Sequence, residues 1–577
     1  MKSARGKEIA ISLNRDAGKY LLPFAVAMAA FLVYARTIPY SFVFDDIENI
    51  LNNPAFFKFH PSQIWHFLVQ PWRALVQISY GLTHYLFGYN PVAYHLVNVL
   101  IHTINSVFVF GIARLLAKRW LSQDKVEIYA VAAGLIFAVH PLHSEAVAYV
   151  WGRSSSLCAL FYFGSLLMLF TGFSKAGRKR ILWFIGAAIV GFLAWKTKEE
   201  AITLPLVAAG AIALMGAWRS AIWIALTPFL LVAAQWQSFL QARVLVTENR
   251  AMVEAGLEPT LQPLTYFLTS LKGIVWYYLR LYVFPVGQSA DPYLKPVSGF
   301  GDPSLLVSIV LLAALVAAAF PLFSDRLFVF GLLALLISPL TSYAVIPIAD
   351  VVAEHRIYIS GLGFALLIAW VLARLPRKRY WALACIVVTF GAATLMRESV
   401  WADSLTLWRD AVTKSPKLAR PHLNLGMAYQ AEGAEDLAMM EYEQALQVNP
   451  RLAPAYINIA GIYFGRDDLE NSEKALKIAM DMSPTLPAPY LNLARIALKG
   501  NQPQKALEIL SRAQTIRAVS RSHLFHIVLG DAYAQLGRHA DAVKEYKEAI
   551  RLRPDLGNAE DMPKARLDEL KRTGAIQ

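Results

Sequence analysis

The sequence predicts an all-α protein: a polytopic transmembrane helix bundle of about eleven spans, followed by a C-terminal α-solenoid of helical repeats. Three observations carry this. The 577 residues are 56% hydrophobic with a mean hydropathy of +0.42, too apolar for a soluble chain of this size. Long apolar runs alternate with short basic clusters. From Trp401 onward the chain turns polar and a pattern recurs about every 34 residues.

The net charge of +14 does not indicate a nucleic-acid partner. Lys and Arg fall between apolar runs, where the positive-inside rule puts them, and form no single patch. Cys158 and Cys385 both sit inside apolar runs. They read as small buried hydrophobes and exclude a disulfide framework.

The basic N-terminus (Lys2, Arg5, Lys7, Arg15, Lys19) lacks a clear cleavage site after its first apolar run, so residues 20–38 read as a retained first span with a cytoplasmic start. Residues 39–90 form the first outer loop, rich in Phe and Trp that suit the headgroup region. Within it, residues 71–87 read as an interfacial helix, because Arg73 and His84 interrupt the run. The second span, 91–117, carries His95, Asn98 and His102 on one face, a pattern for hydrogen bonding between helices. Spans follow at 126–139, from 152 to Lys175, from 181 to 195, out and back around Arg219, and toward Gln235.

The second long outer segment, 240–300, is decided by parity. If residues 263–285 crossed the membrane, Arg374, Arg377, Lys378 and Arg379 would face outward, against the charge rule. A re-entrant or interfacial helix keeps every basic cluster inside. The last spans are then 303–322, 327–343, 357–373 and 380–396. This makes residues 1–400 the membrane domain and 401–577 the repeat domain, on the same side as the first outer loop.

The repeats show Leu425-Gly426, Tyr429, Ala438, Tyr442, Ala445 and Pro450, then Tyr456, Ala460, Tyr463, Leu476, Ala479 and Pro484. A third copy has Tyr490, Leu493, Ala494, Ala506 and Ala513, and a fourth has Leu529-Gly530, Tyr533, Ala542, Tyr546, Ala549 and Pro554. This is the tetratricopeptide pattern of antiparallel helix pairs. Trp408, Ala411 and Pro416 suggest a leading half repeat. Stacked pairs make a concave surface suited to a peptide or protein partner.

The candidate site starts from Ser41-Phe-Val-Phe-Asp-Asp-Ile-Glu-Asn-Ile50. By itself, Asp45-Asp46 reads equally as a helix cap, since acids favour helix N-termini. The topology adds company: Asp45, Asp46, Arg73, His140, His143, Glu145, Arg153, Lys198, Glu199, Asp291, Glu354, His355 and Arg356 all fall at the outer face. Ionisable groups at span ends are costly unless paired or used. Arg73, Arg153, Lys198 and Arg356 suit a phosphate; the carboxylates suit a general base or a divalent cation. His140-x-x-His143 is a weak metal motif, because Pro141 breaks the helix between the two rings.

Several segments resemble those of the transmembrane-and-tetratricopeptide O-mannosyltransferases of the GT-C superfamily. They are Phe44-Asp-Asp-Ile, Trp72-Arg-Ala-Leu, Phe87-Gly-Tyr-Asn-Pro-Val-Ala-Tyr-His-Leu-Val-Asn98, His140-Pro-Leu-His-Ser-Glu-Ala-Val, Trp151-Gly-Arg, Thr197-Lys-Glu-Glu, Ser289-Ala-Asp and Ala353-Glu-His-Arg-Ile-Tyr358. The resemblance implies a GT-C-type bundle and an inverting transfer of a sugar, mannose in that family, from a polyprenyl-phosphate donor to Ser or Thr hydroxyls. It makes Asp45 the general base, with Asp46 beside it; Arg73, in the same loop, is a candidate partner for the two carboxylates. It gives Arg153, Arg356, Lys198 and Arg73 the donor phosphate, with His140, His143, Glu145, Glu199, Asp291, Glu354 and His355 lining the site. The lipid-linked sugar is the donor substrate, no nucleotide sugar is needed, and the repeats bind the acceptor. The expected location is a bacterial inner membrane with site and repeats in the periplasm, or the endoplasmic reticulum membrane with lumenal repeats in a eukaryote. Two other readings of the same residues are a non-catalytic membrane-anchored repeat scaffold for envelope assembly and a ligase that moves whole glycans.

Overall fold

The computed structural model describes residues 20–53, 59–68, 73–234, 261–343, 350–376, 378–516, 519, 522–553 and 563–572. The basic N-terminus, Phe56, Phe57, Trp72, residues 240–260, Arg377 and Pro554 lie outside them. The described residues are helical throughout, with turns and loops but no strand. They divide into two compact units, with the break in the chain between Asp410 and Ala411.

The first unit is organised around Pro91–Trp120, which packs on Gln123–Val139 and Arg153–Phe173; Gly361–Arg374 closes against Gln123–Val139 and Arg326–Ile337. The shared core is apolar and well filled, with Val109, Ile112, Ala133, Ile136, Phe163, Phe330 and Ala365 almost fully buried. Outer helices behave differently. Pro303–Ala319 leaves Leu306, Val310, Leu311 and Val316 uncovered by protein, and a bilayer would bury them.

A helix lies at each expected span position. Five of the helices are long and apolar enough to cross a membrane: Tyr20–Thr37, Pro91–Trp120, Arg153–Phe173, Pro303–Leu322 and Arg379–Trp401. Gln123–Val139 with Pro141–Ala148, bent by 51°, makes a sixth if the pair counts as one span. The expected count of about eleven is not reached on length and composition. Leu204–Leu214 has only 11 residues, about 16 Å of helix against a core of about 30 Å. Gly177–Trp195 opens on Arg178, Lys179 and Arg180. These helices and the chain's composition make this a membrane protein.

The second unit is a series of helix pairs: Ala419–Ala431 with Glu435–Val448, Ala453–Gly465 with Leu469–Met482, Pro487–Lys499 with Pro503–Ala513, and His523–Gln535 with His539–Leu552. The pairs are held by the small and aromatic residues of the repeat pattern. Ala438, Tyr442, Ala445, Ala460, Leu476 and Ala479 are all buried. Gly426 lets the Tyr442 ring lie flat on its helix: a Cβ there would stand 2.4 Å from Tyr442 Cε1 and 3.1 Å from the Ala438 carbonyl oxygen.

That contact makes Gly426→Ala a test of the packing. Overfilling a tight core costs about 1–3 kcal/mol, more than the roughly 1 kcal/mol that alanine gains over glycine in a helix. The purified variant is expected to melt at a lower temperature than the parent; an equal or higher melting temperature would show that Tyr442 moves away freely.

Candidate functional site

The loop after the first helix carries the two adjacent acids in different environments. Asp46 has no exposed surface. Its Oδ2 accepts from the Val43 amide at 3.1 Å and its Oδ1 from the Trp151 amide at 2.7 Å. It lies at the start of the helical segment that continues through Ile47–Leu51, and its side chain reaches back to Val43 without capping that turn. Burial pushes its pKa up to about 8, and the charge of Asp45 adds to this against the pull of the two amides. Asp45 is half-buried and acts on the Tyr149 hydroxyl, together with Asp46 and Glu145.

Phe44, just before the two acids, adopts the left-handed conformation, φ 55°. That conformation is rare for a bulky residue. The Phe44 ring stacks on Tyr149 (5.9 Å) and meets Trp408 edge to face (5.0 Å), and Tyr149 stacks on Trp401 (5.1 Å).

Arg153 opens its helix with no exposed surface. Its Nε donates to Asn98 Oδ1 (2.7 Å), Nη1 to Ser79 Oγ (3.0 Å) and Thr83 Oγ1 (3.2 Å), and Nη2 to the Tyr94 carbonyl (2.9 Å). The guanidinium also lies over the Tyr80 ring at 4.5 Å. Lys198 is buried too, with Nζ 2.7 Å from Glu200 Oε1 and 2.7 Å from Ser155 Oγ. These two cations were expected at the donor phosphate. All three nitrogens of Arg153 and the Lys198 ammonium are engaged within the protein, so phosphate contact would require breaking those bonds. Arg73, expected beside the acid pair, forks onto Glu199 instead (2.8 and 3.5 Å) in a half-exposed pair. Burial alone would raise the Glu199 pKa, but the Arg73 charge holds it down at about 2.

On the other side of the site, the segment Glu354–Ile357 forms a short turn capped from outside its own sequence. Glu145 Oε2 accepts from the Glu354 and His355 amides (2.9 and 3.2 Å), and its Oε1 sits 2.6 Å from His355 Nδ1. A carboxylate at a turn's free amides is favourable. Glu354 is fully buried and organises the second outer segment. Gln288 Nε2 donates to it at 2.6 Å, the Ser289 amide at 3.1 Å and the Tyr277 hydroxyl at 3.2 Å, and Arg397 lies 3.6 Å away. Burial holds the Glu354 pKa above the usual carboxylate range, and the nearby Glu145 charge adds to this while Arg397 opposes it. Asp291 is buried beside this group, its amide on Ser289 Oγ. Arg356 is half-buried, with one nitrogen on the Asp350 carbonyl at 2.7 Å. Its field is shared with Tyr278, Asp350, Tyr266 and Glu145.

The two histidines point into the bundle. His140 Nδ1 accepts from the Leu142 amide and Nε2 donates to the Tyr282 carbonyl. His143 Nδ1 donates to the Phe137 carbonyl, and its ring packs on Phe137 and Tyr358. Among the described residues no three His, Cys, Asp or Glu side chains are arranged to hold a metal ion. The polar face of the second span binds its neighbours: Asn98 donates to the carbonyls of Val147, Tyr149 and Val150, and His102 bridges the Tyr358 hydroxyl and the Ala138 carbonyl.

Sequence reasoning missed Tyr149, Arg397, Trp401 and Trp408. Trp408 and Trp401 stood out only as a repeat residue and a composition boundary. Gly152, in the Trp-Gly-Arg segment, proves sterically required: a Cβ would sit 2.4 Å from the Glu145 carbonyl oxygen.

With this geometry in view, comparison with known proteins is informative. Tetratricopeptide repeat models match residues 419–452 and 490–556. The chain is 24% identical over 507 residues to the mouse protein O-mannosyl-transferase TMTC4, covering 75% of this chain and 68% of that protein. It is 25% identical to human TMTC4, over 72% of this chain and 65% of that one. The chain is a relative of the TMTC proteins. Human TMTC3 matches at 25% identity, again over 72% of this chain but only 50% of its own length, so the chain spans about two thirds of the TMTC4 proteins and half of TMTC3. Among solved structures, MamA matches at 20% identity over 26% of this chain and 85% of that one, with a TM-score of 0.23.

The different settings of the two acids give a direct expectation. Asp46→Asn places an NH2 group against a backbone N–H and leaves a buried donor unmet, a loss of about 1–3 kcal/mol. Its melting temperature is expected to fall, whereas Asp45→Asn melts with the parent. Equal melting of both variants would remove the anchoring role of Asp46.

Proposed function

We propose that the chain is a membrane glycosyltransferase of the O-mannosyltransferase kind. It would move a sugar from a polyprenyl-phosphate donor to Ser or Thr hydroxyls of proteins on the non-cytoplasmic face, with the repeats holding the acceptor. The similarity to proteins named O-mannosyl-transferases supports the mannosyl part. The observation that carries the assignment of chemistry is the half-exposed Asp45 beside a fully buried, amide-anchored Asp46.

In this reading Asp45 removes the proton from the acceptor hydroxyl as its oxygen attacks the anomeric carbon. The bond from that carbon to the phosphate oxygen breaks, and the configuration inverts. The negative charge released on the lipid phosphate is met by Arg356, a half-buried cation with one nitrogen on the Asp350 carbonyl, with Arg73 as second candidate. Arg153 and Lys198 serve as the frame, and Glu145 and Glu354 hold Arg356 and the second outer segment in place.

Loss of a positioned general base costs about 10²–10⁴-fold in rate, so Asp45→Asn is expected to lose nearly all transfer from a polyprenyl-phosphate mannose while still binding that donor. Transfer at the parent rate would end the assignment. A second expectation concerns sidedness. A reporter that works only in the cytoplasm, fused after Gln577, should be silent in cells. A strong signal would put the repeats on the opposite face and separate them from any acceptor outside.

A further inference from the structure

We propose that the segment following the last span, residues 397–410, is a clamp that positions Asp45, and that Trp408 is its principal positioning residue. The inference rests on the reading of Asp45 as the base. It starts from the backbone at Phe44, whose φ of 55° is a conformation that persists only when the surroundings over-determine it. Most of what over-determines it comes from this one segment. The Ser41 amide donates to the Ala402 carbonyl at 3.1 Å. The Phe44 ring is held between Tyr149 and Trp408, and Tyr149 is backed in turn by Trp401. Trp401 and Trp408 are 0% and 3% exposed, so neither is a surface contact that solvent could replace.

The clamp has its own fastening. Arg397 reaches Asp410 at 3.2 Å, tying the first residue of the segment to its last, and lies 3.6 Å from Glu354, which anchors the other wall of the site. The segment therefore touches both sides: the acid loop through Trp408 and Ala402, and the Glu354 turn through Arg397. Without Trp408 the Phe44 ring loses an aromatic neighbour, and the left-handed residue just before Asp45 loses part of its support. Asp46 would still be fixed by two amides, so the expected result is a mispointed Asp45 in a folded protein.

The experiment uses the full chain in detergent, as parent, Trp408→Ala, Trp408→Leu, Trp408→Phe and Asp45→Asn. Two readouts are taken: steady-state transfer from polyprenyl-phosphate mannose, and hydrogen–deuterium exchange of the amides. A displacement of about 1 Å at a reacting group costs up to about a hundredfold. Trp408→Ala is therefore expected to lower kcat by about ten- to a hundredfold with KM for the donor within about twofold, the pattern of a lost transition-state alignment. Trp408→Phe should restore most of the rate. Exchange at residues 41–46 should quicken in Trp408→Ala while that of Pro91–Trp120 stays at the parent level. Parent kcat with parent exchange overturns the clamp. So does faster exchange in both regions for Trp408→Ala and Trp408→Leu alike, which would make Trp408 a general packing residue. The exchange readout does not depend on the chemistry. If Asp45→Asn transfers at the parent rate, the base assignment falls, and local loosening at 41–46 still reports separately on whether the segment holds the loop.

Discussion

A guanidinium with no exposed surface is tolerable only if its donors are met and its charge is spread, and Arg153 achieves both with Asn98, Ser79, Thr83, the Tyr94 carbonyl and the Tyr80 ring. Much of the outer face depends on that arrangement. Asn98, fixed by Arg153 through its oxygen, uses its nitrogen on the carbonyls of Val147, Tyr149 and Val150. That fixes the chain just before Trp151, whose amide holds Asp46. From Asp46 the order passes to Val43, to the turn at Phe44, and so to Asp45. A buried charge can thus bear on where Asp45 stands without lying beside it.

The carboxylates of this face share a residue type and little else. Asp46 and Glu354 are buried with their oxygens committed to amides and polar side chains, Glu145 closes a turn, and Glu199 is held ionised by Arg73. Environment separates acids that sequence alone leaves equivalent. For two neighbours in the chain, Asp45 and Asp46, the separation lies in burial and in the two amides that only Asp46 is shown to hold.

How much of this was legible depends on the range of the interaction. The repeats could be read because Gly426, Tyr442 and their counterparts Gly530 and Tyr546 recur in register, and each contact is local. The spans could be read as apolar runs, but their number could not, since Leu204–Leu214 is too short to cross alone and Gly177–Trp195 starts charged. The gathering of ionisable residues at one face followed from topology. Their roles did not, because Arg153 looks the same in sequence whether it faces a phosphate or Asn98. Tyr149, Arg397 and Trp408 were missed because they act through partners on distant elements, with no spacing rule to reveal them.

The contact between Phe44 and Trp408 has a consequence for biosynthesis. The acid loop leaves the ribosome early, but Trp408 follows the last hydrophobic helix, Arg379–Trp401, in the chain and can meet Phe44 only once that helix is in place. A truncated chain ending before Trp408 carries the charged residues from Asp45 to Arg397, yet lacks the aromatic neighbour of Phe44. Activity would then switch on as a late event in assembly, so that an incompletely inserted protein stays inert toward the lipid and protein around it.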